Sequence, residues 1–135
     1  MRPIAKTIAY AFGIVYLVVG LVGFAVTGFG DFVGTEGHIL VLFEVNPLHN
    51  IVHLGVGIAL IAGAASNSAG LRGVAWTIAG VYALTGVLGF FIAGTDFNIL
   101  ALNTADHFLH LTTAAILVWV AAQTRVDAPA ELVNA

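Results

Sequence analysis

Four long stretches at about 8–29, 47–65, 73–94 and 105–122, free of charged residues but for Asp106 at the start of the last, alternate with short polar connections along the 135 residues. Each is close to the length a helix needs to cross a hydrocarbon core of about 30 Å at a rise of about 1.5 Å per residue. The pattern predicts an all-α fold, a transmembrane four-helix bundle in a single domain covering 1–135. The turn Ser66-Asn67-Ser68-Ala69-Gly70 is short and built of small residues, which makes the second and third helices antiparallel neighbours. The connection at 30–46 is longer. Its apolar run at 38–43 is too short to span and is expected on the membrane surface or over the end of the bundle. The tail after Arg125 is expected to be loose.

Composition adds the solvent. With 60% hydrophobic residues against four Lys or Arg and seven Asp or Glu, the surface is too apolar for water, and the lipid bilayer becomes the partner. Arg2 and Lys6 precede the first stretch as they would a signal peptide, but that stretch is too long for a cleavable core and shows no small-x-small site, so it is expected to be retained. Arg2, Lys6, Arg72 and Arg125 all fall on one side of a four-span chain, while Asp31, Glu36, Glu44 and Asp96 fall on the other. The excess of positive charge puts both termini in the cytoplasm. No basic cluster exists to neutralise phosphates, so no nucleic acid is expected. The absence of cysteine removes disulfides, thiolate ligands and cysteine nucleophiles.

The two halves carry the same signature. Tyr16-x3-Gly20-x2-Gly23-Phe24 in the first helix returns as Tyr82-x3-Gly86-x2-Gly89-Phe90 in the third, and Asn46-x6-His53-Leu54 returns as Asn103-x6-His110-Leu111. This reads as a tandem duplication of a two-helix unit, with copies at about 8–65 and 73–122. Each copy holds two spans, so the copies share one orientation and their pseudo-twofold axis runs along the membrane normal. Gly13, Gly20, Gly23, Gly80, Gly86 and Gly89 are expected to let helix backbones approach closely. Tyr10, Tyr16, Tyr82, Trp76 and Trp119 fall toward helix ends or upper turns and are expected to anchor at the headgroups.

The chemistry sits where the second and fourth helices begin. Asn46 and Asn103 suit N-caps, and Pro47 suits the first helical position because it has no N–H to leave unpaired. The repeat register pairs His49 with Asp106 and His53 with His110, each helix presenting two polar groups one turn apart. Converging, these four residues would make a set of three imidazoles and one carboxylate suited to a divalent transition metal. A haem held axially by His53 and His110 is a further alternative. The reading favoured by the residues is a hydrogen-bonded polar cluster that ties the helices together, with Asp106 capping its own helix; proton or solute handling completes the alternatives. His107 lies one residue off that face with Asn50 at its repeat position as a partner, His38 lies in the long connection, and Glu44 is expected to be solvated. Without a serine in the spans, a phosphate loop or paired acids in one helix, an enzyme is not expected.

At Asn46-Pro-Leu-His49-Asn50-Ile-Val-His53-Leu54 and Asp106-His-Phe-Leu-His110-Leu111 the chain resembles a bacterial membrane family known as domain of unknown function 4383, over about residues 5–122. The resemblance implies a four-helix protein of the bacterial cytoplasmic membrane and marks the same candidate residues. It brings no activity with it. The residues and the resemblance together favour a small non-enzymatic structural or accessory subunit that forms a homo-oligomer or joins a larger membrane complex, with a metal- or haem-binding protein of redox or metal handling as the alternative.

Overall fold

The computed structural model describes residues 2–124. Arg125 and the tail beyond it lie outside the described residues. The order of elements is α1 (Pro3–Thr27), β1 (His38–Leu40), β2 (Phe43–Val45), α2 (Pro47–Ala65), α3 (Ser68–Ile92) and α4 (Thr104–Gln123). All four helices are long and apolar enough to cross a membrane. α1 and α3 start ahead of the uncharged stretches because their start signals lie earlier. Pro3 occupies the first turn of α1, and the Asn67 side chain accepts from Gly70 N–H at 2.9 Å to open α3. Lys6 and Arg72 therefore lie within helices, near ends from which long side chains reach the headgroup level.

The outward faces are apolar. Ile14, Leu21, Ile58, Leu84 and Phe91 all stand exposed, while the interior carries Ala5, Ala9, Ala75, Ala121 and a set of buried polar residues. This distribution suits a hydrocarbon surround, where lipid covers large side chains and small ones let helices close.

α1 packs on α2 and α3 packs on α4, and each pair closes through glycine at matching places. A Cβ on Gly20 would lie 2.8 Å from the Asn50 carbonyl oxygen and from Leu54 Cδ2. A Cβ on Gly86 would lie 2.8 Å from Leu111 Cγ and 3.1 Å from the His107 carbonyl oxygen. Gly23 backs onto the Asn50 side chain as Gly89 backs onto the His107 ring. Gly13 meets Gly57, whose close approach no repeated motif marks: a Cβ on Gly57 would lie 2.7 Å from Leu17 N. Gly80 departs from expectation, because no atom stands within 4 Å of where its Cβ would be, and it serves no packing contact.

The run at 38–43 is neither helix nor loop. β1 and β2 form an antiparallel hairpin in the register His38 to Val45, Ile39 to Glu44 and Leu40 to Phe43, with Val41 at φ 63° in the turn. Two three-residue strands are too short to stand alone, and side-chain bonds hold the hairpin over the ends of α2 and α4. Asn103 Nδ2 donates to the Leu42 carbonyl at 3.0 Å, and the Glu44 N–H donates to Asp106 Oδ2 at 3.1 Å. Asn46 Nδ2 donates to the Ile99 carbonyl at 2.8 Å, the counterpart of the Asn103 bond in the other half. Each connecting segment is thus fastened by the asparagine that caps the opposite half's helix.

Candidate functional site

Under the hairpin, the N-terminal turns of α2 and α4 place their polar residues inside the bundle. Asn46 caps α2 by accepting from His49 N–H at 2.8 Å, and Asn103 caps α4 by accepting from Asp106 N–H at 3.1 Å. His49 and Asp106 occupy the same third position of their helices, yet the two side chains part company. A carboxylate can accept from the cap's own backbone N–H, and Asp106 Oδ2 does so from Asn103 at 2.9 Å, closing a capping box. The same oxygen takes the bond from Glu44, so Asp106 is engaged with the backbone of the hairpin and of its own helix. Glu44, expected in solvent, is partly buried, and its carboxylate accepts from Gly37 N–H at 2.6 Å.

His49 instead turns inward. Its Nδ1 bonds the Glu44 carbonyl at 3.2 Å, and a carbonyl only accepts, so Nδ1 carries the proton and Nε2 keeps a lone pair. Nε2 is buried without a partner. One turn on, both ring nitrogens of His53 are buried and unpaired, as is Nδ1 of His110. One ligand atom from each of His49, His53 and His110 can be chosen so that all lie within 4.8 Å of one another, and all three residues are buried.

Two tyrosines complete the cluster and correct the expectation that they anchor at headgroups. Tyr16 and Tyr82 are 4% and 2% exposed. Ring centroids run in a closed circuit, Tyr16 to His53 at 5.2 Å, His53 to His49 at 4.3 Å, His49 to His110 at 5.9 Å, His110 to Tyr82 at 4.7 Å and Tyr82 back to Tyr16 at 5.5 Å. Tyr16 OH pairs with Thr113 Oγ1 at 2.8 Å, whereas the Tyr82 hydroxyl is buried without a partner. The signal for the tyrosines was present in the repeated Tyr-x3-Gly motif, which sets both at one depth in their helices. For Thr113 no repeat pointed the way.

The remaining candidates stand apart. His107 packs edge-on against Phe90 at 4.7 Å and rests on Gly89. Asn50 donates to Thr27 Oγ1 at 3.0 Å, which makes α1, not His107, its partner. His38 is exposed on β1.

A family model described as Domain of unknown function (DUF4383) matches residues 6–123, which takes in every residue of the cluster. The chain belongs to the DUF4383 family. No curated protein and no solved structure matches it. For this DUF4383 protein, then, function has to be argued from the geometry. What the geometry offers is three neutral-capable imidazoles converging in a dry interior, with one ring's tautomer already set by a backbone carbonyl. Around a tetrahedral ion bound at about 2.0–2.1 Å, nitrogens stand about 3.3 Å apart, so the three rings have to close by at most roughly 1.5 Å.

Proposed function

We propose that this chain is a multi-pass protein of the bacterial cytoplasmic membrane, with both termini cytoplasmic, that holds one divalent transition-metal ion on His49, His53 and His110. The observation that carries the proposal is the convergence of three buried imidazoles that make no hydrogen bond to one another. A purely structural cluster would use those nitrogens to tie helices together, and among the described residues only His49 of the three has a hydrogen-bond partner. Buried polar atoms left unpaired are costly, and a cation satisfies several at once. The bond from His49 Nδ1 to a backbone carbonyl is the kind of contact that orients a ligating imidazole. Imidazole donors suit Zn, Cu, Fe and Ni, and three of them leave a fourth position open to water or a small ligand. Asp106, committed to its cap, is left out of the ligand set.

Protein purified in mild detergent should carry or take up about one equivalent of Zn²⁺ or Co²⁺ by elemental analysis, with visible absorption bands in the Co²⁺ form. His53→Ala and His110→Ala should each abolish stoichiometric uptake while eluting as folded protein. A folded wild-type protein that takes up neither ion would overturn the reading and return the cluster to a structural role in an accessory subunit.

The orientation rests on Arg2, Lys6 and Arg72, which share the end of the bundle opposite the hairpin. The chain has no cysteine, so single cysteines report cleanly. Ser68→Cys should resist a membrane-impermeant maleimide in intact cells, and Thr95→Cys should react. The reverse result would invert the topology. We infer further that the halves descend from one duplicated two-helix unit, an origin supported by the matched glycine contacts and the reciprocal asparagine bonds.

A further inference from the structure

The connections at the hairpin end differ between the halves. α3 reaches α4 through 93–103 without a strand, whereas α1 reaches α2 through a longer segment that carries β1 and β2. The hairpin straddles one seam of the bundle, with β1 against α1 and β2 against α4. It does not stand clear of the helices. Asn103, the N-cap of α4, donates to the Leu42 carbonyl at 3.0 Å, which fixes the tip level with the start of that helix. Phe43, next to the tip, reaches lower and lines a cavity of about 270 Å³ together with Val19 and Leu109. Val19 lies eight residues before the end of α1 at Thr27, and Leu109 five residues beyond the start of α4 at Thr104. At about 1.5 Å per residue, that is roughly 8–12 Å inside the spans.

The tip itself is apolar and bare. Val41 is 82% exposed and Leu42 68%, with Ile39 behind them at 62%. Leu40 pairs with Phe43, so Val41 and Leu42 are the two central residues of a tight turn, where hairpins commonly carry Asn-Gly, Asp-Gly or a leading glycine. Val41 holds φ 63°, a left-handed conformation that a β-branched side chain rarely adopts and glycine adopts freely. Turn chemistry and contact with water both disfavour Val-Leu at this place.

We propose that the Val41–Leu42 tip is a lipid contact, seated at the boundary between headgroups and acyl chains in the leaflet on the hairpin side. There the two side chains leave water, which stabilises them in proportion to the apolar area removed. The backbone tolerates the setting, because the Leu42 carbonyl is already paired with Asn103 and carries no bare acceptor into the apolar phase. The tip also continues a lipid-facing surface: Val15, on the wall of the cavity that Phe43 lines, is 58% exposed. Residues 39–43 carry no charge, and Arg2, Lys6 and Arg72 lie at the other end of the bundle. Hydrocarbon, not headgroup charge, therefore selects the partner, and a neutral lipid suffices. Glu44, two residues beyond the tip, has an N–H that donates to Asp106 and a carbonyl that accepts from His49, so a seated tip steadies the strand that roofs the histidine cluster. The inference concerns the lipid contact alone and holds with or without a bound ion.

The full chain with Leu42→Cys, labelled at that single cysteine with the fluorophore NBD and placed without added metal in phosphatidylcholine nanodiscs, which leave both faces open to solvent, provides the test. The same label on Thr95→Cys, in the exposed turn after α3, is the reference. At 42 the emission should be blue-shifted relative to 95 and quenching by aqueous iodide should be lost. Lipids with a nitroxide high on the acyl chain should quench it more than lipids with the nitroxide near the chain end. Val41→Cys should show the same pattern, and it reads the tip if Leu42→Cys does not elute as folded protein. Replacing part of the phosphatidylcholine by phosphatidylglycerol should change nothing, and seating that required the anionic lipid would overturn the inference. So would a label at 42 as open to iodide as the one at 95, which would put the tip in water. Shielding from iodide and from both nitroxide lipids would overturn it too, since protein, such as a second copy of the chain, would then cover the tip.

Discussion

Replacing Asn46 by alanine should cost about 3 kcal/mol of stability, among the largest effects of any polar substitution in the chain. The side chain accepts from His49 N–H and donates to the carbonyls of Gly34 and Ile99, both at 2.8 Å, while being only 2% exposed. Alanine loses all three bonds, at about 1 kcal/mol each, and strands their partners in a place water reaches poorly. Asn67 provides the control. It is an exposed cap with one bond, to Gly70 N–H, and Asn67→Ala should cost only about 0.5–1 kcal/mol. Unfolding in mixed micelles by titration with SDS, followed by circular dichroism, compares the two. Equal losses would show that Asn46 acts as a cap and nothing more.

The second large effect concerns the seams within each pair. Gly20→Leu and Gly86→Leu should each destabilise the bundle by about 1–3 kcal/mol, because even a Cβ at these positions stands 2.8 Å from an atom of the facing helix. At Gly20 that neighbour includes a backbone carbonyl, which cannot rotate aside, so α1 has to lift away from α2 and carry Tyr16 from His53. Gly20→Leu should therefore also weaken metal uptake, a result that simple loss of stability in a still-folded protein would not produce. Gly80→Ala meets open space and should be neutral or stabilising by up to about 1 kcal/mol. A Gly20→Leu protein as stable as Gly80→Ala would refute the close-packing account. The same micelle titration, with metal analysis of the folded fractions, gives both readouts.

These contrasts also mark what could be read from the chain before its structure. The four helices were legible because an uncharged stretch of hydrocarbon length has few other uses, and Asn46-Pro47 and Asn103 announced two of the starts. Their outer limits were not, since charge marks where a span meets water and a helix is free to continue past that point, as α1 does back to Pro3. The hairpin at 38–45 was hidden. Its strands are three residues long, and what holds them is the distant pair Asn103 and Asp106, which no local pattern reveals.

At the candidate site, spacing singled out His49, His53 and His110, which the fold brings together, but placed Asp106 with them. Two residues at one helical position were treated as alike. Their chemistry separates them: a carboxylate at the third position can curl back to the cap, while an imidazole there is free to turn into the bundle. Tyr16 and Tyr82 were read as interfacial because a tyrosine near a helix end satisfies either setting, and only the packing of α1 against α3 and α4 decides for the interior.

The crossed asparagines carry a consequence for assembly. Because Asn46 reaches the carbonyl before α4 and Asn103 reaches the carbonyl before α2, neither pair of helices can complete its own roof. A chain severed in the Ser66-Asn67-Ser68 turn would yield two fragments, each holding the acceptor that the other lacks. Such fragments should regain the native arrangement only by finding each other in the bilayer, at a speed set by how densely they are embedded there.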